Sequence, residues 1–477
     1  MEALPQEIFL RILDYVAGYP KEFLPYVTVS RRWQRTIEPW YFKAFRIKNS
    51  DLPAFASLFR TSQGHRKALV KEIYLDVVLD EYDGEECQQH SQTNNQVFSA
   101  AVFELFQLLE LFNEDCNVQD RGGLHLNLRD VSSPSDSRLP RTCQQKLWGT
   151  FVRLLDHESL PTLSCVSRFQ CASPFRSRKF DPMSMMYMAG KLEGLKICRI
   201  DYCNDRNCFD TEAQWEIRHG MYCTYDLQVA GTYLTLSSDF AKALSAFPHS
   251  LDELLITFRA TSPLDEATSP RLIPLSTPVD PLNLAMHKLI QRAKVTYVSL
   301  SAQHVISPEF FWPCDGLNVP LHAAPFWPRL TTVRILASPI SPDGHWYFLP
   351  DPKVGAHDES AGEGNERGSS INIIRSVPNP EKMNPLLIAM AKAVRYAPAL
   401  QEMSLRFGSQ KLIKNGTDVG LKREFNVTYL AGGVTTAQLS ESENPRLIWQ
   451  VQDWRPDDAV DSHWREALGP DAVMVYE

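Results

Sequence analysis

The chain has 477 residues, 44% of them apolar, and a formal net charge of −8. This is too apolar for a disordered chain and too acidic for a general nucleic-acid binder, and no apolar run approaches the roughly 18 residues of a membrane span. The length allows one large domain or two to three ordinary ones, and the 10 scattered cysteines suggest reduced thiols in the cytosol or nucleus.

The first expected elements are three short helices. Leu4, Ile8, Ile12 and Val16 recur every four residues with Leu13 beside them, which predicts one apolar helix face. Pro5 suits the first helical position, where its missing N–H costs nothing, and Glu7 lies at the positive helix end. Gly18 and Pro20 close this helix. A second helix from about Glu22 carries Phe23, Leu24 and Val27. A third, capped by Thr28 or Ser30, holds Trp33 and Ile37 one turn apart before Pro39 ends it. So small a unit keeps much of its surface exposed, and its leftover apolar patch needs cover from the rest of the chain or from a partner.

Beyond the helices, an apolar pattern h-x-x-h-x-h repeats. It occurs at Val70/Ile73/Leu75, Leu160/Leu163/Cys165, Leu192/Leu195/Ile197, Leu251/Leu254/Ile256, Val295/Val298/Leu300, Leu330/Val333/Ile335 and Leu400/Met403/Leu405. Leu124/Leu126/Leu128 is a degenerate copy. The last two apolar positions of each copy share one face of a strand. Helical stretches are expected between copies, at Val97–Phe112, Cys143–Asp156, Met183–Lys191, Asp239–Phe247, Leu282–Arg292 and Met383–Tyr396. Strand, loop, helix and strand in alternation predict an α/β solenoid built on a parallel sheet. Val131–Arg141, Thr261–Pro281 and Asp351–Pro380 read as linkers, the last a mobile insert near 351–380. The acidic run Asp76, Asp80, Glu81, Asp83, Glu85 and Glu86 reads as solvated loop charge.

Motifs for catalysis are missing: no phosphate loop, no Gly-x-Ser-x-Gly elbow and no His-Glu-x-x-His zinc helix. Gly362, Gly364 and Gly368 misspell the dinucleotide fingerprint. Cys198, Cys203, Cys208 and Cys223 are too widely spaced for a zinc knuckle, and Cys198 falls in an expected strand. No cofactor, metal or catalytic residue is therefore expected. The sequons at Asn415 and Asn426 are read as chance, and the start carries no signal-peptide pattern.

Leu4-Pro5-Gln6-Glu7-Ile8, Ile12-Leu13 and Val29-Ser30-Arg31-Arg32-Trp33 together resemble the F-box, a three-helix module matched over the first forty or so residues. The strand-and-helix repeat resembles leucine-rich repeats, with irregular spacing and without the family's Asn, since Arg259, Gln303, Ser338 and Gly408 stand in its place. Trp40-Tyr41-Phe42, Arg46-Ile47, Asp51-Leu52-Pro53-Ala54-Phe55, Val70 to Leu75 and Glu81-Tyr82-Asp83 resemble a group of fungal F-box proteins whose long C-terminal part has no assigned activity.

The resemblance implies an α/β protein with an F-box at 1–45 and an irregular leucine-rich-repeat-like α/β solenoid at 46–477. It implies a substrate-recognition subunit of a Skp-cullin-F-box ubiquitin ligase. Its partners would be a Skp-type adaptor, through it a cullin, and a protein client, with neither nucleic acid nor membrane. Leu4, Pro5, Ile8, Ile12, Leu13, Leu24, Val27 and Trp33 would form the adaptor contact or its support. Client contacts would fall on outward strand positions: Tyr74, Lys196, Leu255, Tyr297, Arg334, Leu336 and Arg406, with Cys198 in the same row. An adaptor-bound scaffold without a ligase role, and an enzyme of unfamiliar type with a fortuitous N-terminal likeness, remain as alternatives.

Overall fold

Alternating apolar residues build strands that pair mostly in parallel, with helices between them in the chain. The computed structural model describes residues 4–16, 25–61, 65–82, 91–113, 122–138, 150–172, 178–203, 241–259, 279–313, 327–350, 375–407, 411–414, 417–434 and 442–477. They divide into two units, Met1–Ser184 with Lys191–Arg199, and Met185–Gly190 with Ile200–Glu477. Residues 1–45 thus fall in the first unit together with the strands that follow them.

In the first unit, helices α1 (Gln6–Val16) and α2 (Arg31–Tyr41) precede β1 (Ala44–Lys48), α3 (Leu52–Thr61), β2 (Glu72–Val78), α4 (Ser91–Asn113) and β3 (Leu124–Ser132). Then come β4 (Phe151–Val152), β5 (Val166–Ala172), β6 (Lys179–Phe180), α5 (Pro182–Gly190) and β7 (Ile197–Cys203), the last two running across the division. Strands β1, β2, β3 and β5 lie side by side and parallel. Their register aligns Ile47, Leu75, Leu128 and Cys171 in one buried row. In α4, Phe98, Val102, Leu105, Leu109 and Phe112 recur at three- and four-residue steps and are all fully buried. The Phe112 ring meets Phe59 of α3 at 5.2 Å.

The second unit carries β8 (Glu253–Arg259), α6 (Pro281–Arg292), β9 (Tyr297–His304), α7 (Pro308–Phe311), β10 (Thr332–Ala337), β11 (Phe348–Pro350) and β12 (Arg375–Pro378). It continues through α8 (Pro380–Tyr396), β13 (Glu402–Phe407), β14 (Lys411–Lys414), β15 (Thr417–Lys422), β16 (Phe425–Leu430), β17 (Arg446–Gln450), α9 (Asp458–Leu468) and β18 (Val473–Tyr476). Strands β8, β9, β10 and β13 are parallel, β16 is antiparallel to both β13 and β17, and β18 returns parallel to β17. Ile256, Leu300, Ile335, Leu405, Val427 and Trp449 form one inward row across six strands, each at most 2% exposed. Burying side chains of this size contributes about 1.5–3 kcal/mol each. The protein is therefore mixed α/β, with mostly parallel sheet.

Several expectations need correction. Pro39 does not end the third helix, because α2 continues through it to Tyr41. Only one helical hydrogen bond is lost so close to the end, and Trp40 and Tyr41 gain packing against the apolar cluster beneath. The expected helix Cys143–Asp156 is not helical in its described part: Phe151 and Val152 pair with Lys179 and Phe180 as a short parallel ladder. The Leu160/Leu163/Cys165 copy is buried but precedes its strand, which forms where Val166, Phe169 and Cys171 face inward.

In β7 the inward residues are Cys198 and Ile200, so Cys198 is core, although it was expected to face out. A one-residue shift in register moves every side chain to the other face. The turn before this strand is tight: a Cβ at Gly194 would lie 2.1 Å from the Ser164 carbonyl oxygen. Residues 131–138 of the first linker are structured, since Val131 and Ser132 belong to β3 and a 3-10 helix spans Pro134–Arg138. Residues 375–380 of the expected mobile insert are structured as β12 and the start of α8, and Pro281 opens α6 behind its Asp280 cap. Asp76 is no loop charge; it sits in β2, 8% exposed.

Candidate functional site

Two kinds of surface carry the expected contacts: the helical module at residues 4–41 and the outward faces of the strands. In the module, Ser30 caps α2 by accepting from the Trp33 backbone N–H at 3.4 Å. Phe9, Leu13, Trp33 and Ile37 pack into one buried cluster, with Val27, Trp40 and Tyr41 against it. The Phe9 and Trp33 rings meet edge to face at 4.9 Å, and the Arg32 guanidinium lies over Phe9 at 4.8 Å while donating to the Leu4 carbonyl.

This arrangement divides the expected adaptor residues. Leu13 and Trp33 belong to the module's own core. Leu4, Ile12 and Val27 are half-buried, Pro5 is exposed and Ile8 is 44% exposed. Leu24, with the expected second helix from Glu22, lies outside the described residues, which resume in a single 3-10 turn at 25–28. Phe9, which lies outside the stripe Leu4, Ile8, Ile12 and Val16, is the buried anchor of α1. Tyr15 at 93% and Val29 at 59% are also exposed, as is Tyr26 at 47% with its ring stacked on Trp33 at 5.5 Å.

Glu38 ties α2 to the body of the first unit. Its buried carboxylate accepts from Gln34 at 2.8 Å and from Arg66 at 2.7 Å. Burial alone would raise this carboxyl, but the hydrogen bonds from Gln34 and Arg66 and the Arg66 charge outweigh it and hold Glu38 below its ordinary value.

On the outward face of the first unit, Tyr74 is half-buried and its hydroxyl donates to Glu72 at 2.5 Å, with Arg129 over the ring at 5.8 Å. Asp76 accepts from Arg46 and sits opposite Asp130 in register. Burial pushes the Asp130 carboxyl up, Ser132 opposes this by hydrogen bonding, and the nearby Asp76 charge adds to the rise. Lys196 is exposed. His125 and Arg168, which the sequence reading did not single out, lie opposite each other on β3 and β5. Arg168 lies beyond the Leu160/Leu163/Cys165 copy, because the strand begins after it.

In the second unit, register brings Leu255, Ser299, Arg334 and Ser404 into one row, and Leu336 faces Arg406 in the next. Leu255, Tyr297 and Leu336 are half-buried, whereas Arg334 and Arg406 are exposed. Arg334 grips Glu402 with two bonds of 2.8 Å, and that bidentate pair raises its pKa. The row continues as a hydroxyl and amide network in which Asn426 donates to Gln450 at 2.6 Å, so the sequon asparagine is already bonded within the sheet.

A third cluster closes on itself. Tyr82 donates to Asp136, which accepts from Arg178, and Arg178 also donates to the Tyr82 oxygen at 3.1 Å. Burial, with the Asp136 bond, pushes the Tyr82 phenol up to about 12. Arg178 is 2% exposed, so this network braces the loops after β2 and β3. Burial likewise pushes the Cys165 thiol up to about 12 and raises Cys198 further. Cys208 and Cys223 lie outside the described residues, as do Gly362, Gly364 and Gly368.

Among the described residues no group of three or more His, Cys, Asp or Glu is placed to hold a metal ion, and no helix is long and apolar enough to cross a membrane. No protein-family model matches the chain, and comparison with curated proteins finds no match.

Proposed function

We propose that the chain is an F-box-type substrate receptor: residues 4–41 dock on a Skp-type adaptor, and the strand faces hold a protein client for ubiquitination. The observation that carries this reading is the placement of uncovered apolar groups. Of the eight large apolar side chains exposed among the described residues, Ile8, Tyr15, Tyr26 and Val29 lie within the first 29 positions. A helical module that buries Phe9, Leu13, Trp33 and Ile37 but leaves these groups in water has the chemistry of a docking surface. The order of Leu-Pro-x-Glu-Ile and Val-Ser-Arg-x-Trp in the same segment supports an F-box adaptor as the occupant.

In this reading the parallel α/β body is an irregular solenoid-like recognition domain, and the receptor works by proximity. It raises the effective concentration of a client lysine near ubiquitin activated on another subunit of the cullin complex. A pull-down with purified Skp-type adaptor tests the reading, comparing wild type with Ile8→Ala/Ile12→Ala protein of unchanged circular dichroism. Reduced recovery of the variant supports it; equal recovery removes the docking surface from the account.

A further inference from the structure

The outward face of the first unit separates its charges. Toward β1 and β2, Arg46 pairs with Asp76, and Glu72 keeps its charge while accepting from the neutral Tyr74 hydroxyl. At the N-terminal ends of β2, β3, β5 and β7 the balance changes. Lys71 precedes β2, and its carbonyl accepts from the His125 backbone N–H at 2.8 Å. His125 faces Arg168 in register, and the Lys196 backbone N–H donates to the Ser167 carbonyl at 2.7 Å. Three cationic side chains, Lys71, Arg168 and Lys196, and the imidazole of His125, whose pKa is lowered, therefore come from four neighbouring segments. Lys71, Arg168 and Lys196 are exposed, and their side chains make no hydrogen bond or ion pair with another described residue. Glu72 is the one acid in the register row, and it already accepts from Tyr74. Burial lowers the His125 pKa, and the Arg168 and Lys71 charges lower it further against the opposing pull of Glu72, so the field at this spot is positive.

We propose that Lys71, His125, Arg168 and Lys196 form a docking row for an acidic, Asp/Glu-rich segment of a partner protein, lying extended across the N-terminal ends of these strands. The spacing favours distributed charge. Strands are about 4.8 Å apart, so the row spreads over about 14 Å, whereas a single phosphate needs donors converging on one point. An extended segment sets its own side chains about 3.3 Å apart along the chain on alternating sides, and the long Lys and Arg arms take up the mismatch. The whole chain carries −8, so general attraction for polyanions is absent and binding depends on this local row. That the acidic segment belongs to a ubiquitination client rests on the receptor reading; the docking row itself does not.

The test is fluorescence anisotropy of the full chain with a labelled oligoglutamate peptide, compared with a singly phosphorylated neutral peptide and a single-stranded oligonucleotide. Wild type is expected to bind oligoglutamate saturably, and more weakly as salt rises. Arg168→Glu/Lys196→Glu should lose at least about tenfold in affinity, and Arg168→Gln/Lys196→Gln should lose less. Lys288→Glu/Lys294→Glu, the same change of net charge at exposed positions outside the row, should bind like wild type. Matching melting curves for all variants exclude misfolding. Absence of oligoglutamate binding, equal loss in the control variant, or tighter binding of the phosphopeptide or oligonucleotide overturns the proposal. Adaptor pull-down of the Arg168/Lys196 variants should be unchanged, which separates failure here from failure of the receptor reading.

Discussion

The helical module and the sheet of the second unit use their apolar side chains in opposite ways. Across the six strands β8, β9, β10, β13, β16 and β17, the inward row from Ile256 to Trp449 is closed to solvent. In α1, Phe9 and Leu13 are closed while Ile8 and Tyr15 stand in water on the same eleven-residue helix. A strand row gains its partners from neighbouring strands, one register step away. A two-helix packing has one interface, and every apolar residue off that interface is either wasted or reserved for another molecule. The comparison teaches that the module is held together by few residues and leaves others to solvent, and the proposed function assigns those others to contact.

The sharpest way to break this contrast is to attack the module's core. Phe9→Ala should cost about 3–5 kcal/mol locally, unfolding the module and abolishing adaptor binding, while the strands keep their melting transition. Limited proteolysis with circular dichroism reads this out, and a module that stays protected would mean that Phe9 is not its anchor.

The reason the pattern does not separate the buried from the exposed side of α1 lies in the residues themselves. Ile8, Phe9, Leu10, Ile12 and Leu13 make five of six consecutive positions apolar, so a period of 3.6 fits either face. In the sheets the signal was cleaner, because Val298 and Leu300, Val333 and Ile335, or Met403 and Leu405 alternate with polar neighbours and settle in register. At Val166–Ala172 and at Cys198 the inward residues differ from those of the repeat pattern, and a shift of one residue is enough to exchange the faces. The Tyr82–Asp136–Arg178 network joins residues up to 96 positions apart, which no local window contains. The order of motifs in the first forty residues was legible; which of their side chains face out was not.

Glu38 tests the joint between module and body. Glu38→Gln should destabilise by about 1–3 kcal/mol, because Arg66 loses its charged acceptor. Its folded pKa lies below the unfolded one, so its contribution is present above the ordinary carboxylate range and fades as pH falls through its own lowered value. Wild type minus variant, measured by urea melts down to mildly acidic pH, should show that loss; a difference independent of pH would contradict it.

Outward strand positions should respond differently again. Leu255→Glu and Leu336→Glu, half-buried on the open face, should leave fold and adaptor binding intact while lowering recovery of client proteins in affinity purification. Unfolding of either variant would make that face core. Arg334→Ala, which removes an exposed bidentate pair with Glu402, should shift stability by no more than about 1 kcal/mol. A larger loss in a urea melt would show that the pair organises the strands.

The account's central claim is that the uncovered side of α1 is a docking surface, and titration calorimetry with purified Skp-type adaptor tests it most directly. Wild type should bind with one-to-one stoichiometry, and Ile8→Ala/Tyr15→Ala should lose about 2 kcal/mol or more of binding free energy with an unchanged melting temperature. Equal affinity in both proteins, or no heat with wild type, would contradict the claim and leave the module as an internal cap on the α/β body.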